Sequence, residues 1–216
     1  MLRQFICLLV LCLPFCASAQ VKLIAGKNYK TISHAETQLP GSGKLLVQEF
    51  FSYGCPWCYR IEPYVEKWRK HKANNVVFKR VPVVFERGWQ YYARAYYTAR
   101  ALDTLDKITP KIFKAIHKDK RDLTKYSAMQ NFFARQGVKK EEFAKLFNES
   151  PTINLEMKQG VHLMAAYHVA AVPTFVINAK YRTNLGMAKG DPKKLMAIVK
   201  ALIAKAQSKA KTKQKG

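Results

Sequence analysis

Cys55 and Cys58 stand two residues apart in Cys55-Pro56-Trp57-Cys58. Thiols so spaced can bind a metal, carry haem, form a structural bridge or exchange a disulfide with another molecule. Zinc would need two further ligands, and His34, His71, His117, His162 and His168 lack tight ligand spacing. Haem attachment needs His directly after the second cysteine, where Tyr59 stands. A bridge closing so short a loop stabilises little. Exchange chemistry fits the spacing better. It needs one accessible thiol that ionises at neutral pH and a second that can attack a mixed disulfide on the first. Cys55, where a strand meets a helix, faces the unpaired N–H groups and partial positive charge of the helix N-terminus. Cys58, one turn later, falls on the buried helix face and serves as the resolving thiol.

Two further features lie elsewhere in the chain. Glu49 interrupts an apolar strand six residues before Cys55. A buried carboxylate is costly without a partner or a task. Glu49 either faces water, or turns inward to pair with Lys79 or Arg80 and exchange a proton with Cys58. Val172-Pro173-Thr174 places a proline just before an apolar strand. A trans proline can start a strand, whereas a cis bond would bring the Val172 backbone to the cysteines. There its N–H and C=O could pair with an extended substrate as an added strand.

These residues need elements to hold them. Lys44 to Phe51 reads as a buried strand ending at Ser52-Tyr53-Gly54. Cys58, Ile61, Val65 and Trp68 mark one helical face, with Pro56 in the first turn and Pro63 as an expected kink. Val76 to Phe85 reads as a second strand, edge-like at Pro82. Helical patterns follow at Trp89–Leu105, Pro110–His117, Leu123–Gln136 and Glu141–Phe147, with Thr109 and Asp122 as caps and Gly137 as a stop. A further helix spans about Ile153 to Tyr167. Thr174–Ile177, a turn at Asn178-Ala179-Lys180, and Tyr181–Leu185 form a hairpin. Asp191 caps a last helix whose stripe is Leu195, Ile198, Val199, Leu202 and Ile203. Strands on both sides of the helical block can share a sheet only if the block is an insertion. The expected division is 20–86 and 153–205 for an α/β domain and 87–152 for an all-helical insertion.

The 216 residues carry 49% hydrophobic and 24% charged side chains, a globular composition. Arg3, the apolar run from Phe5 to Phe15 and Ala17-Ser18-Ala19 predict a signal peptide over 1–19, cleaved after Ala19. Cleavage removes Cys7, Cys12 and Cys16 and leaves only the Cys55/Cys58 pair, so a disulfide-stapled scaffold is excluded. The net charge of +24 is spread along the chain and points to no particular partner. Its densest run, Lys205 to Lys215, predicts a disordered basic tail over 206–216. Tyr91, Tyr92, Tyr96 and Tyr97 with Arg94 and Arg100 could stack on nucleic acid. Positions 92, 96 and 99 also fit one packed helix face, and no nucleic-acid partner is expected.

Glu49-Phe50-Phe51-Ser52-Tyr53-Gly54-Cys55-Pro56-Trp57-Cys58-Tyr59 and Val172-Pro173-Thr174-Phe175-Val176-Ile177-Asn178-Ala179-Lys180-Tyr181 resemble the DsbA family of periplasmic thiol–disulfide oxidoreductases, over about residues 21–205. The resemblance implies a thioredoxin fold with the helical block inserted, and a cis Val172–Pro173 bond facing the cysteines. It implies an exported dithiol oxidase that uses no cofactor or metal of its own. Its substrates would be newly exported cysteine-containing proteins, and a membrane-bound, quinone-linked DsbB-like oxidase would regenerate it. One position departs: well-studied members carry His where this chain has Trp57, so a less extreme oxidising potential is expected. An isomerase or reductase using the same site is the alternative, although the dimerisation region of DsbC-type isomerases is absent.

Overall fold

The computed structural model describes residues 21–33, 41 and 43–213. The expected signal peptide and its cleavage site lie outside them. A mixed five-stranded sheet has the order β1-β5-β4-β2-β3, with β1 Lys30–Thr31, β2 Leu45–Phe51, β3 Val76–Pro82, β4 Thr174–Ile177 and β5 Tyr181–Asn184. β2 and β3 run parallel from Leu45↔Val76 to Phe51↔Pro82, joined by α1, Pro56–His71. β4 runs antiparallel to β2 and to β5. All seven residues of β2 are buried, as a central strand covered on both faces requires. Pro82 ends the edge strand β3, where its missing N–H breaks no ladder.

Between β3 and β4 lie α2 Trp89–Ala101, α3 Leu105–His117, α4 Tyr126–Ala134, α5 Lys140–Ala144, a π-helical turn Lys145–Glu149 and α6 Pro151–Ala166. One core gathers Phe50, Phe51, Tyr53, Tyr96, Phe113 and Phe133 on the side of this helical block. The other, containing Ile61, Val65, Leu195 and Val199, lies beneath α1 and the last helix, α7 Pro192–Lys213. Tyr92, Tyr96, Tyr97 and Ala99 are buried, so these tyrosines are packing residues rather than a stacking platform.

Several sequence expectations shift. The second strand stops at Pro82, short of Phe85. The Trp89 helix ends at Ala101, and α3 begins at Leu105 with Pro110 inside it. Burial of Ile108, Ile112 and Phe113 outweighs the one helical bond that proline forfeits. Thr109 is therefore no cap; its hydroxyl meets Tyr53. Asp122 closes a local turn onto the Thr124 N–H, four residues before α4. α1 continues through Pro63 to His71. The 206–216 segment is helical as far as Lys213, because Ala- and Lys-rich sequence with no Gly or Pro extends a helix at little cost. The hairpin turn falls at Asn178 and Ala179, both at positive φ, and Asp191 accepts from the Lys193 and Lys194 N–H groups.

Candidate active site

Cys55 is the N-cap of α1, with φ −81° and ψ 117°, and its Sγ accepts the Cys58 N–H at 3.3 Å. A cysteine thus fills the position that Ser or Asp usually holds, with sulfur on the unpaired amides of the first turn. A hydrogen bond from the Cys58 thiol lowers the Cys55 pKa; burial opposes this, and the Cys58 and Trp57 N–H groups add to it. Cys58 moves the other way, well above the ordinary thiol range, chiefly through burial. The pair is polarised: one thiol favours the thiolate, its neighbour holds its proton. Cys55 is 4% exposed against 1% for Cys58, so the attacking sulfur is reached through a narrow opening rather than displayed openly.

The loop before Cys55 is clamped from the helical block. Tyr53 Oη and Thr109 Oγ1 of α3 are 2.8 Å apart. His117, at the end of α3, donates from Nε2 to the Tyr53 carbonyl at 2.7 Å and stacks on Tyr59 at 4.9 Å. Burial lowers the His117 pKa. Gly54 has no room for a side chain: a Cβ would lie 2.6 Å from Trp89 Nε1 and 2.9 Å from Tyr92 Cε2. The sequence offers His117 only among dispersed histidines and Thr109 only as a helix cap, since each acquires its role at the Tyr53 loop through the packing of α3.

The Val172–Pro173 bond is cis, and the Val172 carbonyl oxygen lies 3.5 Å from Cys55 Sγ, within reach of the neutral thiol as donor. The Thr174 hydroxyl closes this loop by donating to the Ala171 carbonyl at 2.6 Å. Half-exposed Trp57 carries the Arg60 guanidinium 4.8 Å from its ring centroid. Val84 and Phe85 are also exposed, and Phe85 packs on Trp89 beside Gly54.

Glu49 faces inward at 1% exposure, not toward water. Its parallel-register partner is Arg80, whose Nε donates to Glu49 Oε2 at 2.8 Å; Lys79 is not the partner. Arg80 also reaches Glu62 Oε2 at 2.7 Å and Glu66 Oε1 at 3.5 Å, both on α1. Burial raises the Glu49 pKa against the pull of Arg80. The Glu49 charge in turn raises both cysteine pKa values, though as a minor contribution. Burial and neighbouring carboxylates push Glu62 up to about 7. The sequence pattern hides Glu62 and Glu66 because they look like the solvent side of α1.

An N-capping thiol, a buried second thiol and a cis-proline loop on one sheet define a thioredoxin-fold dithiol–disulfide site. The chain matches the DSBA-like thioredoxin domain family over residues 46–193. It is 38% identical to the thiol:disulfide interchange protein DsbA of Burkholderia cepacia over 78% of this chain and 79% of that protein. It is 35% identical to that of Pseudomonas aeruginosa PAO1 over 87% of each. The crystal structure of Pseudomonas aeruginosa DsbA superposes with a TM-score of 0.81 at 34% identity, covering 88% of this chain and 97% of that one. DsbA from Xylella fastidiosa gives 0.79 at 25% identity, over 86% and 98%. This chain belongs to the DSBA-like family and is a thiol:disulfide oxidoreductase. Among the described residues no helix is long and apolar enough to cross a membrane.

Proposed function

We propose that this protein is a periplasmic dithiol oxidase, exported by a signal peptide cleaved after Ala19, that donates its Cys55–Cys58 disulfide to newly exported proteins. The polarised thiol pair is the observation that carries this reading. A substrate thiolate attacks Cys55 Sγ, the Cys55–Cys58 bond breaks, and a mixed disulfide forms on Cys55. A second substrate thiolate then attacks the substrate sulfur and expels Cys55 as a thiolate. The substrate leaves oxidised and the enzyme keeps two electrons. A low pKa makes Cys55 a good leaving group in that second step. Buried Glu49 supplies the proton that Cys58 takes up on reduction and accepts it again on re-oxidation.

The Val172 backbone beside Cys55 offers the edge on which an extended substrate aligns. Trp57, Val84 and Phe85 supply exposed apolar contact suited to unfolded chains. The insertion is drawn at 87–152, and its clamp on Tyr53 and Gly54 fixes the loop that presents Cys55. A membrane-bound, quinone-linked DsbB-like oxidase returns the dithiol to the disulfide. The test is trapping. Cys58→Ser incubated with an oxidised peptide accumulates a mixed disulfide on Cys55, and Cys55→Ser accumulates none. Adducts of equal yield on both cysteines would overturn the assignment of roles.

A further inference from the structure

The sheet register defines two poles of this molecule. Phe50↔Thr174 and Thr174↔Asn184 put the ends of β2 and β5 and the start of β4 beside the thiols. Leu45↔Val76 and Ile177↔Tyr181 mark the opposite pole. Four chain segments converge there: the entry to β2, the end of α1, the β4–β5 turn and the end of α7. They bring Lys44, Lys70, Lys72, Lys180, Lys205 and Lys209, of which Lys44, Lys70, Lys180 and Lys209 are exposed. The Lys205 ammonium, 2.9 Å from Tyr29 Oη and 5.7 Å from the centroid of the Tyr181 ring, fixes the end of α7 at this pole. In the sequence, Lys211, Lys213 and Lys215 follow.

Few acids offset this charge: Asp106 lines one cleft with Lys70 and Lys72, but it bonds Arg69. The stretches 67–85, 177–190 and 192–216 contain neither Asp nor Glu. Outside 86–156, Glu49, Glu62 and Glu66 turn toward Arg80, Asp191 caps α7 near the thiols, and Glu36 lies outside the described residues. The exposed cations of the pole are lysines; Arg69 is held by Glu66 and Asp106. Ammonium groups act as hydrated point charges without the fork that selects one carboxylate or phosphate geometry. Such a cluster suits a diffuse anionic surface, and each lysine close to an anionic bilayer adds to the attraction.

We propose that this lysine pole docks on anionic phospholipid headgroups, holding the protein at a membrane surface with Cys55 on the side facing away. Such docking would give the oxidoreductase a location whichever way its electrons flow. The chain without its first 19 residues is sedimented with phosphatidylcholine vesicles, with and without phosphatidylglycerol. Binding is expected only with phosphatidylglycerol and is lost at high salt. The fourfold variant Lys44→Gln, Lys70→Gln, Lys180→Gln, Lys209→Gln, and separately a chain ended after Gln207, each partition more than about tenfold less. A control with Lys118, Lys120, Lys125 and Lys139 changed to Gln, all exposed in the helical block, keeps most of its binding. Disulfide exchange with a soluble peptide stays unchanged in all three, which shows that they fold. Cys55 is alkylated at the same rate on and off the vesicles. Absence of binding to phosphatidylglycerol vesicles at low salt, equal loss in the control, or protection of Cys55 by vesicles would each overturn the proposal. So would retention by an acidic polypeptide without any retention by vesicles.

Discussion

Glu62 sits one helical turn beyond Cys58, 8% exposed, and its Oε1 has no hydrogen-bond partner among the described residues. Its pKa is raised from 4.5 to about 7, first by burial and then by Glu49 and Glu66, against the pull of Arg80. A folded-state value above the unfolded one means that the native protein keeps a proton the unfolded chain has released. The contribution to stability is therefore fully present below pH 4.5 and is lost as pH rises toward 7. The shift corresponds to about 3 kcal/mol. Glu62→Gln stays neutral and removes that decline. Breaking a buried ion pair ordinarily costs about 3–5 kcal/mol when it strands a charge. Arg80 is not stranded here, since Glu49 remains at 2.8 Å and Glu66 at 3.5 Å. Urea unfolding of Glu62→Gln and the parent at about pH 4 and pH 8 reads the difference directly. The variant should gain about 3 kcal/mol on the parent between the two conditions. A variant destabilised equally at both would show instead that Glu62 is ionised and held by Arg80 throughout.

Trp57→His places a partly exposed cation next to Cys55, worth roughly 1–2 kcal/mol to the thiolate. The Cys55 pKa, read by alkylation rate against pH, should fall by about one unit, and the bridge should become more oxidising by about 30 mV. Gly54→Ala drives a methyl toward Trp89 Nε1, at 2.6 Å. It should cost about 1–3 kcal/mol by urea unfolding and slow exchange at Cys55, whereas parent-like values would mean that Trp89 swings aside freely. Glu49→Gln removes a charge that raises both thiol pKa values, so the Cys55 alkylation profile should shift to lower pH. If Glu49 also carries the Cys58 proton, release of Cys55 from a mixed disulfide should slow and change its pH dependence; an unaltered rate and profile would leave Glu49 a purely structural partner of Arg80.

Chemistry built from neighbours in the chain was legible in the sequence. The apolar run of β2, the Cys58–Ile61–Val65–Trp68 face and the hairpin turn at Asn178 each rest on local pattern. Features that depend on distant segments were hidden. Pro110 read as a helix start because the burial of Ile108 on the preceding turn cannot be seen locally. His117 and Thr109 gain meaning only where α3 crosses the Tyr53 loop. Glu49 was visible as an anomaly, but its partner stayed open between Lys79 and Arg80 until the β2–β3 register decided it. The cis state of Val172–Pro173 followed from resemblance, and no local signal separated it from trans.

On the oxidase reading, the geometry around Cys55 favours the reduced pair and makes the disulfide a strong donor. Equilibrating the Cys55–Cys58 bridge in glutathione buffers of set ratio measures this. The expected bridge is reduced far more readily than a structural disulfide, with a potential well above the roughly −270 mV of thioredoxin. A value at or below thioredoxin's would contradict that reading and make the protein a reductase kept reduced by another partner.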